Sequence, residues 1–155
     1  YYYGAKLVRG AYMEKERERA REKGYQDPIQ PDKASTDRDF NASLTVCLEN
    51  IEIVSFCAGT HNEESCKILA DLMHEKGIAN NDQRVWFAQL LGMSDHISFN
   101  LADQDYNVAK YVPFGPVRHV MPYLLRRAEE NTSVAGQMGR ELRLINEEVA
   151  RRKNR

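Results

Sequence analysis

Apolar positions along this chain follow two rhythms. Four short runs are densely apolar and rich in β-branched or aromatic residues: Ala5–Tyr12 (AKLVRGAY), Ile51–Cys57 (IEIVSFC), Val85–Leu91 (VWFAQLL) and Val108–Val112 (VAKYV). Runs of this length and character predict strands. The segments between them repeat their apolar residues at helical spacing. Phe40, Leu44, Cys47 and Leu48 form one such stripe, and Ile68, Leu69, Leu72 and Met73 another. Val134, Met138, Leu142, Ile145 and Val149 form a last one. A strongly charged helix is predicted over Met13–Lys23 and a short one over Asp95–Ala102.

Punctuation supports this division. Gly24 and Gly77 stand where helices should stop. Asp32 or Ser35 suits the start of a helix running to about Asn50, after the two-proline loop Tyr25–Pro31. Thr60, with Glu63 three residues on, reads as a capping box for a helix reaching Lys76. Pro113-Phe114-Gly115-Pro116 is a turn, with Pro116 suited to a first helical position. Pro122 should break or kink that helix, so a fresh start of the arginine-bearing helix there is the expectation. Thr132 is expected to cap a final helix whose basic end, from Arg151, frays.

Strand–helix alternation of this kind means a parallel sheet with right-handed crossovers. Four such units are half of an eight-fold β/α barrel, which ordinarily needs about 250 residues. A doubly wound sheet fits the alternation too. No G-x-G-x-x-G follows any strand, so the dinucleotide-binding version has no support. Four strands alone leave bare edges. Completion of the sheet by another chain or a second copy is therefore expected.

The totals narrow the function. The chain has 155 residues, 42% hydrophobic and 29% charged, with net charge −1. That balance argues against a general nucleic-acid binder. No apolar run approaches the length of a membrane span. Cys47, Cys57 and Cys66 lack metal spacing and lie in apolar segments, so buried thiols are expected and no metal. Residue 1 is Tyr, and Tyr1-Tyr2-Tyr3 reads as neither signal nor transit sequence; a piece of a longer chain is the expectation.

Candidate chemistry gathers where the strands end, the active-site rim of parallel β/α folds. The ends carry Arg9-Gly10-Ala11-Tyr12, Thr60-His61-Asn62, Gln89-Leu90-Leu91-Gly92-Met93 and Tyr111-Val112-Pro113. Each has an ordinary structural reading: a satisfied core histidine, packed aromatics, a snorkelling Lys6. Further on, Tyr123, Arg127 and Glu130 share one helical face, Arg126 is adjacent, and Arg126 with Glu130 makes an i,i+4 pair. Alone this is a solvated helix face. Two adjacent guanidiniums, one of them buttressed, also suit a carboxylate or phosphate.

KLVRGAY, FCAGTHN, FAQLLGM, YVPFGP and YLLRRAEEN occur in this order, over about Ala5 to Val134. Together they resemble the carboxyl-terminal half of the proline dehydrogenase (proline oxidase) family. The resemblance implies an α/β fold, a (β/α)8 TIM-like barrel of which residues 1–155 supply roughly the last four βα units. It implies oxidation of L-proline to pyrroline-5-carboxylate by hydride transfer to FAD, with electrons passed to a membrane quinone.

The same resemblance gives Arg126 and Arg127 the substrate carboxylate, held by Glu130. Tyr111 and Leu90 pack on the proline ring, and Tyr12 helps close the pocket. Lys6 and Arg9 approach the flavin near N5 or its phosphates; relatives that exchange Lys and Arg at these two positions leave open which sits by N5. Gly10 and Ala11 give close backbone contact, Thr60 and His61 touch the cofactor, and Lys33 reaches the dinucleotide. A lysine and an aspartate from earlier strands, which the family also uses, are absent, so the resemblance implies a piece inactive by itself, or completed by another chain or a second copy. The implied compartment is mitochondrial in a eukaryote, and cytoplasmic or peripheral on the inner membrane face in a bacterium. Two other readings stand beside this one: a different β/α-barrel enzyme using the arginines on a phosphate or another carboxylate, and a non-catalytic half-barrel that oligomerises.

Overall fold

The computed structural model describes residues 2–10, 12–133, 143, 146, 147 and 149–153, and for residues 126–133 the backbone alone. The chain divides into two units, Tyr1–Tyr111 and Val112–Arg155.

The first unit runs β1 (Tyr3–Val8), α1 (Met13–Lys23), α2 (Lys33–Glu49), β2 (Val54–Gly59), α3 (Glu63–Glu75), β3 (Val85–Leu90), α4 (Asp95–Asp103) and β4 (Val108–Tyr111). All strand pairs are parallel, and the sheet order is β1-β2-β3-β4. Order without reversal is that of consecutive barrel strands; a doubly wound sheet would reverse at a switch point. The fold is α/β, as the alternation predicts.

Side chains alternate across the sheet. Phe56, Ala58, Val85 and Phe87 point to the helices, where Phe40, Leu44 and Leu48 of α2 and Leu69 and Met73 of α3 complete a buried core. Ile97 of α4 joins it. Cys66 is buried, but Cys47 and Cys57 are only partly so; all three are free thiols.

Several boundaries differ from expectation, each for a local reason. β1 is Tyr3–Val8, not Ala5–Tyr12, because Gly10 (φ 69°) and Tyr12 (φ 57°) turn left-handed after it. β2 begins at Val54, since Ile51–Ile53 form a turn in which Ile53 and Val54 donate to Asn50 O. The cap of α3 is Asn62, whose side chain accepts from Ser65 N, so the Thr60–Glu63 capping box does not form. Asp32 does cap α2, accepting from Ser35 N at 2.7 Å.

In the second unit α5 spans Val117–Ser133 with Pro122 inside it. A proline six residues in removes one amide donor, and the turns beyond continue the helix rather than starting a new one. Thr132 is consequently helical and not a cap. Of the last stripe, Val134, Met138, Leu142 and Ile145 lie outside the described residues, while Val149 is exposed and Arg151–Lys153 are helical rather than frayed. No described helix is long and apolar enough to cross a membrane.

Candidate functional site

The sheet has a second face, opposite the one on which α2, α3 and α4 pack. Strand parity and register put Lys6, Val8, Cys57, Gly59, Leu90 and Tyr111 on it. Val8 lies opposite Gly59, and Leu90 opposite Tyr111. Lys6 arches along this face: its Nζ lies 5.4 Å from the centre of the Tyr111 ring, within cation–π range. The arch passes over Gly59, where a β-carbon would stand 3.3 Å from Lys6 Cε and 3.0 Å from Val8 Cγ1. Tyr111 keeps 47% exposure, so the group faces outward as a shallow apolar wall with one cation across it.

Arg9 does something else. Three residues from Lys6, it has turned to the helix side, where it is only 18% exposed. Its guanidinium donates to Thr60 Oγ1 at 2.7 Å and to Ser65 Oγ at 2.5 Å, and its Cζ stacks 3.8 Å from the Phe40 ring centre. Nε approaches Asp37 Oδ1 at 2.7 Å, an ion pair without hydrogen-bond alignment. Ser65 Oγ passes the chain on to Asn41 Oδ1 at 2.7 Å. Burial pulls the Arg9 pKa down and Asp37 counters this. The Asp37 carboxyl is held below its usual range, first by a hydrogen bond from Lys33 and also by the Arg9 charge. Arg9 therefore joins the ends of β1 and β2 to α2 and α3.

His61 and Thr60 follow β2 directly. Thr60 is buried, and its Oγ1 also accepts from Asn62 N at 3.1 Å. His61 Nδ1 lies 3.0 Å from Ser94 Oγ, and Leu90 N–H points at His61 Nε2 from 3.5 Å. Across the same corner Lys110 Nζ donates to Met93 O at 2.8 Å and pairs with Asp95 at 2.7 Å. Among the described residues no cluster could hold a metal ion.

The predicted site residues thus separate into two groups. Lys6, Leu90 and Tyr111 meet on the open face, with His61 attached through Leu90. Arg9 and Thr60 meet on the other, and Lys33 reaches them only through Asp37. Gly10 is exposed at the β1 end, while Tyr12 stands 72% exposed with Lys15 Nζ 5.7 Å from its ring centre. Ala11 and the side chains of Arg126, Arg127 and Glu130 lie outside the described residues. Sequence reasoning missed Asp37, Ser65, Ser94 and Gly59. Only the i,i+4 spacing of Lys33 and Asp37 carried any signal for them.

A parallel sheet of consecutive strands, with polar and aromatic side chains at their carboxyl ends, is the arrangement of a β/α-barrel-type fold. The chain belongs to the proline dehydrogenase family, whose description fits residues 1–140. It is 45% identical over 153 residues to human "Proline dehydrogenase 1, mitochondrial", covering 97% of this chain and 26% of that protein. It is 41% identical over 162 residues to the Drosophila melanogaster protein of the same name, covering 98% and 24%. Hydroxyproline dehydrogenase of Xenopus laevis is 44% identical over 154 residues, with 97% and 33% covered. The chain spans about a quarter to a third of the length of these relatives. Among solved structures, proline utilization A from Bdellovibrio bacteriovorus inactivated by N-propargylglycine superposes with a TM-score of 0.74 at 29% identity, covering 85% of this chain and 14% of that one.

Proposed function

We propose that this chain is the carboxyl-terminal half of a flavin-dependent barrel that oxidises L-proline to pyrroline-5-carboxylate. The observation that carries the reading is the open-face group of Lys6, Leu90 and Tyr111 at the carboxyl ends of parallel strands, in a chain of this family. The bare outer edges of β1 and β4 suit completion by the remaining strands of the barrel; a second copy of the chain is the alternative partner.

The residues present fit a flavin. On the open face Lys6 supplies one cation, and Val8, Leu90 and Tyr111 an apolar wall against which a flat ring system would lie. When bound, FAD would supply the acceptor for the two electrons that proline gives up. Lys6 would place positive charge at the N1/N5 edge. Arg9, turned away, would act by fixing the backbone at Gly10 and Ala11 against the cofactor. Thr60 and His61 would line the same side, with Lys33 near the dinucleotide.

Arg126 and Arg127 would clamp the substrate carboxylate, with Glu130 orienting the pair. Leu90 and Tyr111 would wall the proline ring and keep water out, and Tyr12 would close over it. Electrons would pass to a membrane quinone, in the mitochondrion if the source is eukaryotic.

The test is anaerobic titration of the whole flavin-loaded protein with L-proline, followed by loss of flavin absorbance. Arg126→Met or Arg127→Met should leave flavin bound and raise the proline KM about tenfold to a hundredfold, the equivalent of one charged hydrogen bond worth about 1.5–3 kcal/mol. A whole protein that binds no flavin, or is not bleached by proline, overturns the reading. Unchanged KM in both variants removes the arginine clamp from it.

A further inference from the structure

Ser94 is a helix N-cap that does not cap. It precedes α4 with a left-handed backbone (φ 52°, ψ 43°), and its side chain makes no hydrogen bond to the helix amides. A serine in this place ordinarily uses its oxygen on those amides, and a residue with a β-carbon ordinarily avoids that conformation. Ser94 is nonetheless 4% exposed, and its hydroxyl lies 3.0 Å from His61 Nδ1. Strain and a forgone cap at one buried rim residue point to a task at the rim.

That task follows from where β2 stops. The amides of Phe87 and Leu91 reach β4, donating to Asn107 O and Tyr111 O. Strand alternation therefore aims the Leu90 amide at β2. The β2 ladder ends at Gly59, with Thr60 N donating back to Ala88 O. One step further on there is no strand, and Gln89 Nε2 already bonds Thr60 O at 3.2 Å. His61 Nε2 stands in that place, 3.5 Å from Leu90 N. An amide can only donate, so Nε2 must be the acceptor. In a neutral imidazole that accepts at Nε2 the proton lies on Nδ1, which faces Ser94 Oγ.

We propose that Ser94 is a positioning residue: by accepting from His61 Nδ1–H it fixes the tautomer in which Nε2 anchors the Leu90 amide, extending the β2 ladder with a side chain. Leu90 is thereby held in register with Tyr111 across the open face. Lys110 braces the same corner from the other side through Met93 O and Asp95. This inference deepens the proline-oxidation reading, since it rests there on Leu90 as a wall of the substrate pocket.

The test compares wild type with Ser94→Ala and Ser94→Gly, using protein carrying 15N-labelled histidine, with His61→Asn to identify the resonance. Wild type should show the His61 proton on Nδ1. Both variants should move it to Nε2 and lower the hydrogen-exchange protection of the Leu90 amide about tenfold. Their thermal midpoints should diverge, because glycine relieves the left-handed strain and alanine keeps it. A common tautomer change across variants of unequal stability separates positioning from folding. A wild-type proton on Nε2, or a tautomer unchanged in either variant, overturns the proposal. Neither readout needs flavin or proline. Failure of the proline-oxidation reading would show separately, as a wild-type protein with the Nδ1 proton that proline does not bleach.

Discussion

Lys6 Nζ, from the first strand, lies 5.4 Å from the centre of the Tyr111 ring, on the last. In a flat sheet three inter-strand spacings alone would set these strands roughly 14 Å apart. The contact therefore requires both side chains to lean across the sheet toward each other.

Gly59 permits the arch. Gly59→Ala would bring a β-carbon to 3.0 Å from Val8 Cγ1 and 3.3 Å from both Leu7 O and Lys6 Cε. The expected loss is about 1–3 kcal/mol, the usual cost of overpacking, with Lys6 displaced from Tyr111. Gly10→Ala is the control: its β-carbon would meet nothing within 4 Å, and only the positive φ resists it, at about 1–2 kcal/mol. Urea denaturation measures both, and the Tyr111 ring resonances should shift only in Gly59→Ala.

Two cations three residues apart should respond in opposite ways. Arg9→Met removes the guanidinium that ties Asp37, Thr60 and Ser65 together, and about 3 kcal/mol of stability should be lost. Arg9→Lys should recover only part, because an ammonium cannot reach three acceptors in a plane or stack on Phe40. Lys6→Met should change stability by about 0.5 kcal/mol or less, as an exposed substitution. Denaturant midpoints of the three variants decide it.

Acid should weaken the first unit in a defined window. Asp82 is held below the usual carboxylate range, chiefly by hydrogen bonds from the Arg84 side chain, and Asp37 by the hydrogen bond from Lys33 and the charge of Arg9. Both folded values lie below the unfolded one, near about 4. The stability they confer is complete above that pH and disappears as pH falls through the depressed values. The urea midpoint should hold from pH 7 to about pH 5 and drop as pH falls below about 4. Asp82→Asn should flatten that drop, whereas loss of midpoint already at pH 6 would contradict it.

Much of the frame was readable as pattern. Dense apolar runs separated by amphipathic stripes specify parallel strands and covering helices, because a strand buried between layers must be apolar and a covering helix needs one apolar face. Gly24 and Asp32 punctuate α1 and α2 as read, since their preferences come from local backbone chemistry. Boundaries were less legible where the decision was not local. Thr60 has the right sequence for a cap, but Arg9, fifty-one positions away, claims its hydroxyl. Pro122 has the right chemistry for a break, yet α5 absorbs it.

The sequence by itself determined the alternation and the family. From sequence, Lys6 and Arg9 read alike, as two basic residues of one strand beside a cofactor. Tertiary structure alone decided which face is which. Arg9 goes inward because Asp37, Phe40, Thr60 and Ser65, drawn from three separate segments, offer it charge, a ring and two hydroxyls at once. Lys6 stays outward because Gly59 and Tyr111 give its stem and its charge a place to lie. Neither environment exists until distant segments are packed, so no local pattern could encode it.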